Sequence, residues 1–216
     1  MTAPARALRA QLLRVGDRPL LFDLHGNSRS AAQVVGNADR LAGALAQACR
    51  PVPKVGFWYR NSFAAIEACL AIEWLGGARI PLDPAASVAE AGNVFEAANT
   101  DIVLADTEHG NQIGGACLTH DDLRPLAGVS RTPDGEFHPD RTFMVYPRSV
   151  TNGKLFGITL SYRNWQAIVD TNVALYRSGR YGEWDEAGEV FLSAQQIMHG
   201  TGFLGTFPFL SMGLPQ

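Results

Sequence analysis

The chain has 216 residues, 46% hydrophobic and 18% charged, which is enough apolar material for the core of one large domain or two small ones. A net charge of −3 with no basic stripe argues against nucleic acid as a partner. The most apolar stretch, residues 63–80, carries Glu67, Glu73 and Arg79, which argues against a membrane span, and the N-terminus has no apolar run of signal-peptide length. Cys49, Cys69 and Cys117 are odd in number, far apart and in no metal-binding spacing, as expected for buried thiols in a reducing, cytoplasmic compartment.

Residues 4–14 place Leu and Ala at helical spacing, and Gly16 stops them. Leu20 to Leu24 reads as a short strand entering a tight turn at His25-Gly26-Asn27. Ser30 starts a long helix whose buried face is Val34, Ala38, Leu41, Leu45 and Cys49. Val55 to Tyr59 is a buried strand, and Ser62 caps a helix, apolar almost all round, that Gly76-Gly77 ends. A strand at 78–82, a helix at about 88–98 and a strand at 102–105 follow.

Residues 106–140 are turn-rich, with a strand near Ala116 and a short helix after Thr119. Thr119 and Asp122 read as a helix start resembling a capping box rather than an acid–base pair. Phe143 to Tyr146 forms a strand, residues 148–157 a small and polar loop, and Ile158 onward a second strand. Ser161 caps a helix with an apolar face of Trp165, Ile168, Val169, Val173 and Tyr176. Val190 to Ser193 reads as a strand, and a last helix begins near His199. His25, His109, His120 and His138 stand in turn-like contexts and read as solvated.

Strands alternating with helices imply an α/β fold, with a largely parallel sheet covered by helices on both faces. Such sheets bind ligands at the carboxyl ends of their strands, where the loop after Tyr146 is expected. A loop of small and polar residues can aim N–H groups and hydroxyls at phosphates; composition alone leaves a plain turn between strands equally open.

Asn61-Ser62, Leu70-Ala71, Gly77-Ala78, Pro81-Leu82, Pro84 and Glu90 occur in an order that resembles the acyl-activating, adenylate-forming enzymes, among them the fatty-acyl-CoA synthetases. Leu160-Ser161, Arg163-Asn164, His199 and Gly202 continue the resemblance over nearly the whole chain. Residues 148–157 stand where that family has the phosphate loop Thr-Ser-Gly-Thr-Thr-Gly-any-Pro-Lys-Gly.

The resemblance implies that ATP and Mg activate a carboxylic acid, with fatty acid the expected class, as an acyl-adenylate that coenzyme A then converts to a thioester. By the same resemblance Ser149, Thr151, Asn152, Gly153 and Lys154 hold phosphates and His199 borders the acyl pocket. It assigns no catalytic residue and no metal ligand within these residues.

The loop also departs from the family pattern. Val150 replaces Gly, Asn152 Thr, Leu155 Pro and Phe156 Lys, while Arg148 stands for Thr. The family's later motifs, for the adenine and ribose pocket, the Mg-binding Thr-Glu and the catalytic lid Lys, have no counterpart in the chain. The expectation is therefore an incomplete N-terminal part of the family's large domain over 1–216, its active site unfinished, its apolar Phe203, Phe207 and Phe209 cluster reading as core, with an uncovered surface for a protein partner as the alternative. The rival expectation is a non-catalytic nucleotide- or acyl-binding module derived from that family.

Overall fold

A computed structural model describes residues 3–113, 117–119 and 138–216. The chain opens with helix α1 (Ala3–Val15), a small antiparallel pair β1 (Pro19–Phe22) and β2 (Ser28–Ser30), and helix α2 (Ala31–Ala48). Next come β3 (Lys54–Trp58), α3 (Phe63–Trp74), β4 (Ala78–Pro81), α4 (Val88–Ala97), β5 (Ile102–Ala105), α5 (Thr107–Gly110) and β6 (Cys117–Thr119). The last elements are β7 (Thr142–Thr151), β8 (Lys154–Ser161), α6 (Tyr162–Arg177) and α7 (Gly200–Met212).

The main sheet has six strands in the order β6-β5-β3-β4-β7-β8, parallel except for the edge strand β8, which runs antiparallel to β7. This is the expected helix-covered parallel sheet.

The three serines read as helix starts all act as N-caps: Ser30 accepts from Gln33 N, Ser62 from Ala65 N and Ser161 from Asn164 N. Ser30 and Ser161 form reciprocal capping boxes, each worth about 1 kcal/mol on the scale of N-cap removals.

Alternation along the strands sends side chains to two cores. Val55, Phe57 and Leu104 join the larger one, under α1, α2, α3, α6 and α7. Trp58, Ile80 and Val103 face the smaller one, under α4. Helix α3 is buried along most of its length, and two carboxylates, Glu67 and Glu73, go inside with it.

Three expectations need correction. Residues 148–157 are not an open loop: β7 and β8 pair down to a two-residue turn, Asn152-Gly153, with φ of 50° and 70°. Positive φ at both positions is the geometry of a type I′ hairpin turn, which Asn-Gly favours strongly.

Val190 to Ser193 is no strand. Phe191 N donates to Pro215 O, but no neighbouring strand among the described residues lies alongside, and Val190 and Leu192 stay exposed. His109 is buried rather than solvated: its ring stacks on Trp58 at 4.3 Å and its Nε2 lies 2.9 Å from the Pro84 carbonyl oxygen.

The Phe203, Phe207 and Phe209 rings are core, as expected, and are buried by the chain itself rather than left uncovered for a partner. Phe203 and Phe207 belong to the larger core, and Phe209 packs with Tyr176, Trp184 and Phe191. Asp122 and the helix expected after Thr119 lie outside the described residues.

Candidate functional site

β7 extends beyond the rest of the sheet and carries β8 with it as a hairpin arm. Gly157 allows the close approach, since a Cβ there would run into the Tyr146 carbonyl oxygen. A bulge between Pro147 and Ser149 accommodates Arg148 on β7. Beyond the bulge the pairs are Ser149 with Phe156, Val150 with Leu155 and Thr151 with Lys154.

Cross-strand partners share a face and successive pairs alternate, so the arm has two sides. Val150 and Leu155 pack onto the core under α4. Ser149, Thr151, Lys154 and Phe156 occupy the other, exposed side, in line with Ile158 opposite Tyr146.

The structure therefore gathers three of the five expected phosphate residues, Ser149, Thr151 and Lys154, on one open face, while Asn152 and Gly153 form the turn at its tip. The substitution of Val for the family's Gly has a packing role here. A β-branched residue suits an extended strand, and Val150 fills space under α4 that a glycine would leave empty.

His199 stands at the other side of the site. It is the N-cap residue of α7, makes no side-chain cap, and is about half exposed, with Nε2 3.8 Å from Asp83 Oδ2. Asp83 follows β4 and is held by Ala85 N donating to its Oδ1 at 2.8 Å, while the Trp58 indole donates to its carbonyl. Asn61, just past β3, receives Ile197 N at 2.8 Å and donates to Gln195 O at 2.7 Å, which pins the segment leading into α7.

The first turn of α7 also meets Tyr146. A Cβ at Gly200 would lie 3.6 Å from the Tyr146 hydroxyl, a buried oxygen without a hydrogen-bond partner among the described residues. Burial pushes the Tyr146 phenol up, with Arg79 opposing. An α-helix N-terminus carries partial positive charge, so this corner suits a carboxylate or phosphate oxygen.

Asn61, Asp83 and Tyr146 were not among the expected site residues. The signal available for them was the end of a predicted strand, where polar side chains in an open α/β sheet face the ligand crevice.

A cavity of about 480 Å³ lies against Asn61, walled by Phe63, Ile66, Phe191, Ile197 and Thr206. Among the described residues no three His, Cys, Asp or Glu side chains cluster as a metal site, and no helix is long and apolar enough to cross a membrane.

A family model described as AMP-binding enzyme matches residues 8–215. Among solved structures, ATP-bound MatB from Rhodopseudomonas palustris matches with TM-score 0.76 and 21% identity over 98% of this chain and 44% of its own. A long-chain-fatty-acid-CoA ligase, FadD1 from Archaeoglobus fulgidus, matches with TM-score 0.80 and 12% identity over 99% of this chain and 46% of its own. O-succinylbenzoate coenzyme A synthetase (MenE) from Bacillus subtilis, in complex with AMP, matches with TM-score 0.74 and 19% identity over 97% and 54%. The chain thus spans about half the length of these structures.

Proposed function

The chain belongs to the AMP-binding enzyme family, and we propose that it contributes the phosphate- and acyl-facing part of a site that activates a carboxylic acid with ATP, fatty acids being the substrate class. The observation that carries this reading is the placement of the hairpin arm. It projects from β7 with a hydroxyl- and ammonium-bearing face in line with Tyr146, which meets the first turn of α7.

In this reading Ser149, Thr151 and Lys154 donate to the phosphate chain of ATP. Those donors fit a polyphosphate as side chains, because most of the arm's residues are committed to a β-ladder rather than to an open backbone cradle. The α7 N-terminus offers partial positive charge to the acid's carboxylate, and His199, 3.8 Å from Asp83, borders the acyl group. Asn61 links this corner to a cavity of about 480 Å³ with Phe63, Ile66, Phe191 and Ile197 in its walls, within the usual range for small-ligand sites, though neither His199 nor the arm lines it.

The described residues provide no cluster for magnesium, so no step is assigned to a protein-held metal; magnesium would arrive on the nucleotide's phosphates. Attack of the acid on the α-phosphate releases pyrophosphate, and the thiol of coenzyme A then displaces AMP. The test is pyrophosphate release from purified chain with ATP, magnesium and a panel of fatty acids. Release with at least one acid is expected if the chain acts alone, and silence across the panel defeats autonomous activity.

A second reading, a non-catalytic module that binds a nucleotide or acyl ligand, is favoured by the closed ladder from Ser149 to Phe156 and by Phe156 standing where the family has Lys. It predicts ligand binding by calorimetry without turnover. Absence of heat with ATP, AMP and acyl-adenylate analogues would count against both readings.

A further inference from the structure

A second cavity, about 570 Å³, opens between α1, α6 and α7. Neither the hairpin arm nor His199 lines it. Its walls are apolar, formed by Leu8, Trp165, Val169, Val173, Phe207 and Met212. Glu73, from α3, lines its floor and is 1% exposed. The Glu73 Oε1 lies 3.4 Å from Arg79 Nη2 yet accepts no hydrogen bond among the described residues. Arg79 Nη2 is likewise without a hydrogen bond among the described residues, so the buried pair is poorly satisfied on both sides, and a donor reaching the Glu73 carboxyl from the cleft would improve it.

The partner cation does not serve the cleft. The Arg79 guanidinium is enclosed by the rings of Phe143, Phe203 and Phe207, at 4.6, 4.6 and 5.6 Å. At the mouth, Arg177 is bidentate to Glu186, and Arg14 is turned to Gln11. Asp170 also lines the mouth and accepts from Gln166 Nε2 at 2.6 Å. With these mouth groups engaged, Glu73 is the polar group on the floor that an entering head group meets, and the walls offer the Trp165 and Phe207 rings, which attract cations as well as apolar matter.

We propose that this cleft binds a small molecule with an apolar body and a protonated primary amine, the ammonium donating to Glu73 and the body lying between α6 and α7. Burial holds the Glu73 carboxyl up at about 8, with Arg79 opposing, so an incoming ammonium supplies the positive charge that the bound proton otherwise provides. A carboxylate could enter only beside a Glu73 that keeps its proton, and it brings no cation to the Trp165 and Phe207 rings, so this cleft disfavours the acids proposed for the hairpin site. The two proposals fail independently.

The test titrates n-hexylamine, n-hexanol and hexanoate into the full chain by calorimetry and ligand-observed NMR. Hexylamine is expected to saturate in the millimolar range, hexanol to bind about tenfold more weakly, and hexanoate not to bind. Glu73→Gln should lower amine affinity about tenfold and leave hexanol unchanged. Val173→Trp, on the cleft wall, should abolish binding of both, with the fold checked by circular dichroism and thermal melting. Val173→Trp also carries the test if Glu73→Gln fails to fold. Equal affinity for amine and alcohol, amine binding that survives Val173→Trp, or no saturation in the millimolar range overturns the proposal.

Discussion

Reopening the hairpin arm tests whether its exposed face still meets phosphates. The double substitution Val150→Gly with Phe156→Lys restores two positions of the family's loop pattern. Val150 is half-buried against the core under α4, so its loss forfeits about 1 kcal/mol, roughly half of a full valine burial. Glycine in a strand costs about another 1 kcal/mol. Together these shift the closed arm toward opening by about 2 kcal/mol, near a 30-fold change in population.

The Phe156→Lys change removes a ring that is 54% exposed, so its own cost to folding is small. It adds a cation beside Ser149 on the exposed face. A charge-assisted hydrogen bond to phosphate contributes about 1.5–3 kcal/mol, so ATP affinity should rise about 10- to 100-fold. Equilibrium dialysis reads the affinity, and amide exchange at 149–156 reads the opening. Faster exchange without any gain in ATP affinity would refute the assignment of this face to phosphate. Unchanged exchange would refute the role of Val150 in closing the arm.

Three further outcomes follow from the packing. Gly157→Ala forces a methyl against the Tyr146 carbonyl and should cost about 1–3 kcal/mol in urea unfolding; a change below about 0.5 kcal/mol, within the range of ordinary surface substitutions, would contradict the close approach. Asn61→Ala removes two hydrogen bonds to the segment entering α7 and should cost about 1–2 kcal/mol, with His199 resonances shifted in NMR spectra. Burial raises the Glu73 and Glu67 carboxyls from 4.5 to about 8 and about 7, so the folded chain holds their protons more tightly than the unfolded one. That contribution is complete below about pH 4.5 and is lost as pH rises through 7 to 8, by at most about 1.4 kcal/mol per pH unit for each group. Glu73→Gln should flatten the decline in unfolding free energy across this window, and an unchanged slope would contradict the burial argument.

Local chemistry is legible in the sequence. The caps Ser30, Ser62 and Ser161 and the buried face of α2 depend on neighbours within a few residues; the caps are present and Val34, Ala38, Leu41 and Leu45 are buried, while Cys49, read as the end of that face, is the half-buried C-cap. The arm's hairpin is legible too, as Asn152-Gly153 flanked by Val150 and Leu155. The small and polar residues of 148–157 read as a loop instead, and the resemblance to a phosphate loop points the same way. Period-two alternation at 190–193 holds as far as it goes, with Phe191 turned inward, but no periodicity within a segment announces that no strand will lie beside it. His109 escapes a local reading because its burial depends on Trp58 and Pro84, which lie in other elements. The pairs Asn61–Ile197 and Asp83–His199 are likewise set by the crossing of the chain over the sheet's carboxyl edge, and no local spacing encodes them.

That crossing ties the two sides of the site to one framework. Arg79 on β4 stacks on Phe143 of β7 and on Phe203 and Phe207 of α7, so a single buried cation joins the strand that carries the arm to the helix that carries His199. Removing it strands Glu73 and opens a cavity among three rings, which is why Arg79→Ala should cost about 3–5 kcal/mol, far above a surface arginine. If the arm and α7 form one site, the variant should also weaken ATP and fatty-acid binding together, measured by calorimetry at a temperature where it remains folded. Loss of one ligand with full retention of the other would separate the hairpin face from the His199 corner and break the single-site reading.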